Sequence, residues 1–316
     1  MNPLIPAIPT KVILSELTQE RFLRRTNKGN NELYIFSEHD SPNLMLEIGR
    51  LRELTFRHSG GGTGKEVDID KYDLGENGFK QLIVWNPTSQ QIMGGYRFID
   101  CNNLKIDENG QVQTPTAKLF HYSEKFVKDY IPYTIELGRS FVQPEYQPST
   151  NLRNGMYSLD NLWDGLGALI VLYPETKYFF GKVTMYGHFN VYARDLILSF
   201  MLKYFPDTEK LVRPHHPLHI STHIDLVNSV LAGNNYKEDY KILNHEVRLH
   251  NENIPPLVNA YMNLSSTMKT FGTALNASFG QVEETGIIVT MEDIYPAKSD
   301  RHVKSFIPNQ TPKHLS

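Results

Sequence analysis

The run Tyr133-Thr134-Ile135-Glu136-Leu137-Gly138-Arg139-Ser140-Phe141-Val142 constrains this chain more than any other stretch. β-Branched and aromatic residues flank a Glu and an Arg with one Gly between them, so the run reads as a buried strand carrying two opposite charges. Burying an unpaired ion costs several kcal/mol, a large share of a domain's whole stability, so each charge must be paired or put to use. Partners for Glu136 and Arg139 therefore have to come from elsewhere in the sequence.

Three upstream segments offer them. Ser41-Pro42 opens a predicted helix whose apolar positions include Leu44, Ile48, Leu51 and Phe56, and this helix carries Arg52. Asp68-Ile69-Asp70-Lys71-Tyr72-Asp73 packs three carboxylates into six residues, with a solvated acidic turn as the bland alternative. Residues 81–85 and 91–99 form a predicted hairpin across Asn86-Pro87-Thr88-Ser89. Its second strand sets Arg97 in apolar company after Gly94-Gly95, and glycines inside a strand mark a bulge or a close backbone approach. Arg52, Asp70, Asp73, Arg97, Glu136 and Arg139 are thus three cations and three anions able to meet across neighbouring strands and one helix. Spacing alone leaves a structural and a functional network equally open.

Between them, His58-Ser59-Gly60-Gly61-Gly62-Thr63-Gly64-Lys65-Glu66 invites a phosphate-loop reading and fails it. Glu66 stands where Ser or Thr is required after the Lys, so a flexible loop is expected. Residues 15–25, with Leu17, Phe22 and Leu23, predict an amphipathic helix whose basic side (Arg21, Arg24, Arg25, Lys28) is either solvated or a dock for an acidic partner. Further on, a helix started by Asp160, a strand over 177–185 and a helix capped by Asn190 alternate as in an α/β or α+β sheet with helices packed on it. A helix near Pro255-Pro256 and a strand over 286–291 follow, and the tail after Ser299 is expected to be loose. The organisation expected is an arm with a basic helix at 1–40, a main domain at 41–298, and a tail at 299–316. His215, His216, His219 and His223 have a suggestive spacing, but Pro214 and Pro217 oppose a regular helix, and no metal is expected.

With 32 basic and 35 acidic side chains the net charge is −3, which points to neither nucleic acid nor an anionic membrane. The single cysteine, Cys101, excludes an internal disulfide and a Cys-based zinc site. No run approaches the ~18 apolar residues of a membrane span, and Met1–Thr10 does not read as a signal peptide. A cytoplasmic protein is expected, with peripheral contact at the inner face of the cytoplasmic membrane left open.

The ordered series Leu51-Arg52 with Phe56, 68–73, Gly94-Gly95-Tyr96-Arg97, Glu136-Leu137-Gly138-Arg139-Ser140-Phe141-Val142 with Pro144-Glu145-Tyr146, Leu162-Trp163 with Gly165-Leu166, and Pro255-Pro256-Leu257 with Ala260-Tyr261 resembles one family. It is similar to the bacterial N-acyltransferases that form the amide bond of ornithine- and glycine-type aminolipids, often labelled "hemolysin-like", distant relatives of the acyl-homoserine-lactone synthases. The resemblance covers roughly residues 45–295. It implies a GCN5-related N-acyltransferase-like α/β fold, a central mixed sheet flanked by helices, with extra C-terminal helical elaboration. Two departures stand out: Gln147 replaces a usual basic residue, and no spaced-glycine phosphate loop is recognisable, leaving 151–155 in its place.

The activity so implied moves a 3-hydroxyacyl group from an acyl carrier protein thioester, or from acyl-coenzyme A, to the α-amine of a small amino acid, glycine ahead of ornithine. No permanent cofactor is implied; the acyl thioester is a co-substrate. Glu136 is the first candidate for general base and Asp73 the second, with Arg139 and Arg97 holding carboxylates and Arg52 and Asp70 bracing them. Ser140, Phe141, Val142, Arg153 and Gly155 would meet the thioester arm, and Arg21, Arg24, Arg25 and Lys28 the carrier protein. Trp163, Leu166, Phe179, Phe180, Met185 and Phe200 are candidates for an acyl channel, with plain core as the alternative. Two rival readings are a homoserine-lactone-type signal synthase and a non-enzymatic membrane-active protein.

Overall fold

Mostly apolar strands, paired antiparallel within each part of the sheet described below, form the framework of the protein. The structure, a computed structural model, describes residues 1–316 except Lys105, Asn109, 148–154 and 308–316. The chain divides into two compact units, one from Met1–Cys101, Ile135–Lys177 and the segment from Tyr295 onward, the other from Asn102–Thr134 and Tyr178–Ile294.

The first unit begins with helix α1 (Thr10–Glu16), strands β1 (Phe22–Arg25) and β2 (Glu32–Phe36), helix α2 (Pro42–His58), and strands β3 (Lys80–Asn86) and β4 (Gln91–Asp100). The second unit contributes β5 (Phe120–Tyr122), and the chain returns to the first with β6 (Thr134–Val142) and α3 (Ser158–Leu172). Within the first unit β1, β2, β3, β4 and β6 pair in that order, each antiparallel to its neighbour. Strand β3 is apolar from Leu82 to Trp85 because both faces are covered. α3 lies on one face, where Gly165 leaves room for the Leu82 side chain. On the other face Gln81 stands opposite Arg97, beneath α2.

Residues 21–25 are not helical. Leu23 and Arg24 are buried on β1, which turns through Gly29 (φ +86°) and Asn30 (φ +50°) into β2. Pairing with β2 satisfies the backbone and buries Leu23 completely, and this outweighs the weak helical spacing of the apolar residues. Residues 22–36 therefore belong to the sheet and are not an appended arm. The tail expected to be loose is also packed up to Phe306: α8 (Pro296–His302) lies on α3, where His302 Nδ1 meets Asp164 Oδ1 at 2.7 Å. Residues 308–316 fall outside the described set.

The second unit continues with β7 (Tyr178–Met185), α4 (Val191–Tyr204), β8 (Val212–Pro214), α5 (Ile224–Val230), α6 (Tyr236–Leu249), α7 (Pro256–Met262), β9 (Lys269–Asn276) and β10 (Val282–Thr290). β7, β10 and β9 form an antiparallel ladder, and β5 pairs with β8. Asn190 caps α4 as expected, its Oδ1 accepting from the Ala193 N–H at 3.0 Å. His223 caps α5, and His215 follows β8, so the four histidines share no helical face. Phe180 packs with Tyr122, Phe126 and Phe271, with centroids 5.1–6.0 Å apart. Phe200 packs against Tyr204, Tyr236 and Tyr240. Both are core residues, as are the buried Phe179, Met185, Trp163 and Leu166. Among the described residues no helix is long and apolar enough to cross a membrane.

Candidate active site

The segment after α2 supplies the anions. Gly49 lets it lie against the helix: a Cβ there would stand 2.7 Å from Ile69, and the Asp68 N–H donates to the Gly49 carbonyl at 2.9 Å. A tight turn follows, with Asp73 Oδ2 accepting from the Asp70 N–H and Asp70 Oδ1 from the Tyr72 N–H. Two aspartates and one glutamine thereby converge on Arg52. Its Nε donates to Asp68 Oδ2 at 3.1 Å, its Nη2 to Asp73 Oδ2 at 2.9 Å and its Nη1 to Gln81 Oε1 at 3.3 Å, and it also reaches the Asp68 carbonyl. Arg97 Nη1 bridges Asp70 Oδ1 and Asp73 Oδ2, each at 3.0 Å, with its guanidinium 5.1 Å from the Phe79 ring centre.

β6 brings the remaining pair. Gly138 stands opposite Arg97 and Phe141 opposite Gly95, so Arg139 and Ser140 together face the single residue Tyr96. This is a β-bulge, which kinks the strand and re-aims side chains. Arg139 adopts φ +49°, a left-handed conformation uncommon for a residue with a Cβ. The bulge also inverts the alternation, placing Phe141 over Gly95 on the face that carries Glu136, Gly138 and Arg97. Arg139 Nε lies 2.7 Å from Asp68 Oδ2, and its Nη2 lies 3.8 Å from Asp70 Oδ2.

Solvent distinguishes the three arginines. Arg52 and Arg97 are 1% and 2% exposed at their side chains, whereas Arg139 is 15% and its neighbour Asp70 28% exposed. Burial pushes Asp73 towards its neutral form, but Arg52 and Arg97 outweigh it and hold its carboxyl well below the usual carboxylate range. Asp68 behaves likewise, with Arg139 and then Arg52 overcoming burial. Arg52 is itself held charged by Asp73 and Asp68 against burial. Glu136 is buried opposite Ile99, and its charge is felt by two neighbours. Burial chiefly, then Asp70 and Glu136, push the Tyr72 phenol up; burial and then Glu136 push the Cys101 thiol up.

Five of the six charged residues named from the sequence join one network through Asp68, and Glu136 lies buried on the strand that carries Arg139, near Tyr72. Asp73 is a poor second base, since a carboxylate stabilised between two arginines resists taking a proton. Arg97 is spent on Asp70 and Asp73 and is an internal brace. Sequence reasoning misses Asp68 and Gln81, of which Gln81 is marked as a polar residue inside the otherwise apolar β3. Ser140, Phe141 and Val142 occupy the bulged end of β6, which Gln143 fastens through its N–H to the Met93 carbonyl at 2.9 Å. Gly155 is buried just before α3, and Arg153 lies outside the described residues.

The basic set at the N-terminus does not form one face. Arg24 is buried, donating to Asn27 Oδ1 at 2.7 Å with its guanidinium over Phe306, and Arg21 is held by Asp40. Arg25 is 76% exposed and Lys28 exposed beside Tyr157. Strand geometry sends Arg24 and Arg25 to opposite sides.

Residues 51–154, from the middle of α2 past β6, match the acetyltransferase (GNAT) domain family. A glycine N(alpha)-acyltransferase of Phocaeicola vulgatus is 52% identical over 307 residues, 97% of this chain and 94% of that protein. The chain belongs to this family of acyltransferases. A second member, the glycine N(alpha)-acyltransferase of Bacteroides thetaiotaomicron, is 51% identical over 97% of the chain and 91% of its own length. Among solved structures, the homoserine-lactone synthase LasI aligns with a TM-score of 0.28 and 16% identity over 49% of this chain and 72% of that one. The coenzyme A-dependent synthase BjaI aligns at 0.39 and 13% over 86% and 87%. The chain is thus an acyltransferase of the GNAT fold class, and the non-enzymatic reading falls away. Its co-substrate is an acyl thioester donor.

Proposed function

We propose that the chain transfers a 3-hydroxyacyl group from a carrier-borne thioester to the α-amine of glycine, the first step in making an aminolipid. The near-full-length identity to two glycine N(alpha)-acyltransferases carries the acceptor. The resemblance to aminolipid-forming enzymes supports the carrier protein and the hydroxylated chain.

In this reading the glycine amine attacks the thioester carbonyl, a C–N bond forms, the C–S bond breaks and the carrier thiol leaves. An amine of pKa ~8 is mostly protonated at neutral pH, so a base must take its proton. Glu136 fills that role, directly or through one water, as the buried carboxylate on the same strand face as the bulge. Arg139, the arginine solvent reaches, binds the acceptor's carboxylate, and its planar fork suits that geometry. Backbone N–H groups near Phe141 and Val142 stabilise the oxyanion. No covalent enzyme intermediate is needed.

Expression in a bacterial host that lacks aminolipids, followed by lipid mass spectrometry, tests the reading. An N-acylglycine that appears only with the intact gene is the expected product. An ornithine headgroup, a lactone, or an unchanged lipid profile with folded protein present would overturn it.

A further inference from the structure

Asp68 has no part in the acyl-transfer chemistry, yet it is tied to α2 through both its backbone and its carboxylate. It is fully buried. Its N–H donates to the Gly49 carbonyl, its own carbonyl accepts from Arg52 Nη2, and its Oδ2 accepts from Arg52 Nε. All three ties lead to α2, so Asp68 is fixed independently of β6. Arg52 is in turn locked onto Asp73 and Gln81. Arg139 has the opposite character: it is borne on a bulge, in a left-handed backbone conformation, with a long side chain that solvent partly reaches. The contact that joins the fixed group to the exposed one is Asp68 Oδ2 to Arg139 Nε, at 2.7 Å.

We propose that Asp68 is a positioning residue: anchored on α2, it holds Arg139 in an ion pair on the Nε side and so orients the guanidinium fork towards the carboxylate of the incoming amino acid. The proposal rests on the reading that Arg139 binds that carboxylate. The side of approach matters, because an ion pair on the Nε side draws the guanidinium towards α2 and leaves the far edge of its Nη fork beyond the contact. Asp70, 3.8 Å from Nη2 and partly exposed, flanks the same edge. A constellation held this way orders its most flexible member before the substrate arrives, and such ordering appears in substrate recognition and not in handling of the donor.

The test compares glycine with glycinamide, which keeps the amine and lacks the carboxylate, using the full chain and a 3-hydroxyacyl-pantetheine thioester. The readout is the ratio of kcat/KM for the two acceptors. Asp68→Asn should lower the glycine-to-glycinamide ratio by about tenfold, through KM for glycine, with KM for the thioester unchanged; the loss is that of one oriented charge-assisted contact. In an Arg139→Lys background the same substitution should lower the ratio no further. A merely structural role would depress both acceptors alike. Asp68→Glu keeps the charge beside Arg52 but displaces the carboxylate by one methylene, and it should also lower the ratio, which covers the case in which Asp68→Asn does not fold. If Arg139→Lys lowers the ratio while every folded Asp68 variant retains the wild-type value, the Asp68 assignment is overturned and the Arg139 reading stands. If Arg139→Lys itself leaves the ratio unchanged, both fall.

Discussion

At the scale of single residues the proposed mechanism separates groups that must stay charged from the one that must exchange a proton. Asp73 belongs to the first kind. Its carboxyl is depressed in the folded protein, so its pairing stabilises the fold fully above the unfolded pKa of about 3.9 and is lost as pH falls from there towards the folded value. Asp73→Asn should therefore cost on the order of 3–5 kcal/mol at neutral pH, the penalty for leaving buried arginines unpaired. Denaturant melts at several pH values should also show a shallower acid-side loss of stability than in the wild type. Glu136 belongs to the second kind. Glu136→Gln keeps the shape and should abolish acyl transfer while circular dichroism and melting stay near wild type; a purified variant acylating glycine at the wild-type rate would remove Glu136 from the mechanism. The charges at 136 and 139 are legible in the sequence because a strand so apolar cannot hide ions without a reason. Asp68 is not, since one aspartate among three in six residues carries no mark of which will be buried.

At the scale of elements, the bulge on β6 and the Gly94-Gly95 pair on β4 form one device. A Cβ on Gly94 would run into the Phe141 carbonyl oxygen, and one on Gly95 would stand 2.7 Å from the Leu82 carbonyl oxygen. β4 can lie this close to β6 at Gly94 and to β3 at Gly95 only without side chains, and the approach at Gly94 sets where Phe141 and Val142 lie. Gly94→Ala should lower stability by ~1–3 kcal/mol, as overpacking does. It should also reduce kcat with long and short thioesters alike, since it displaces the end of β6 and leaves Glu136 in place. Stopped assays with both donors check this. The glycine pair announces a close approach in the sequence, whereas the two-for-one register opposite Tyr96 cannot be read there, because it depends on how β6 pairs with β4. Residues 21–25 mislead for a related reason: five residues of mixed apolar and basic character fit either period, and only the partner strand β2 decides.

At the scale of the whole molecule, the donor poses an electrostatic problem. The enzyme carries a net charge of −3, so the acidic carrier protein of the proposed reaction would be repelled at long range and drawn in by local cations. Of the four basic residues between positions 21 and 28, Arg24 is buried and Arg21 is committed to Asp40, which leaves Arg25 and Lys28 exposed near the β1–β2 turn. Added salt screens both effects, with a Debye length of ~10 Å at 0.1 M falling to ~3 Å at 1 M. Net repulsion and local attraction therefore predict opposite responses. If Arg25 and Lys28 guide docking, turnover of a carrier-borne acyl group should fall between 0.05 and 0.5 M salt (roughly the range over which screening becomes complete), while turnover of the pantetheine thioester stays level. Arg25→Glu with Lys28→Glu should then flatten the salt response and raise KM for the carrier alone, because losing rim charges slows encounter and leaves the chemistry intact. A carrier-dependent rate that rises with salt, or a double variant indistinguishable from wild type, would move the docking surface elsewhere on the molecule.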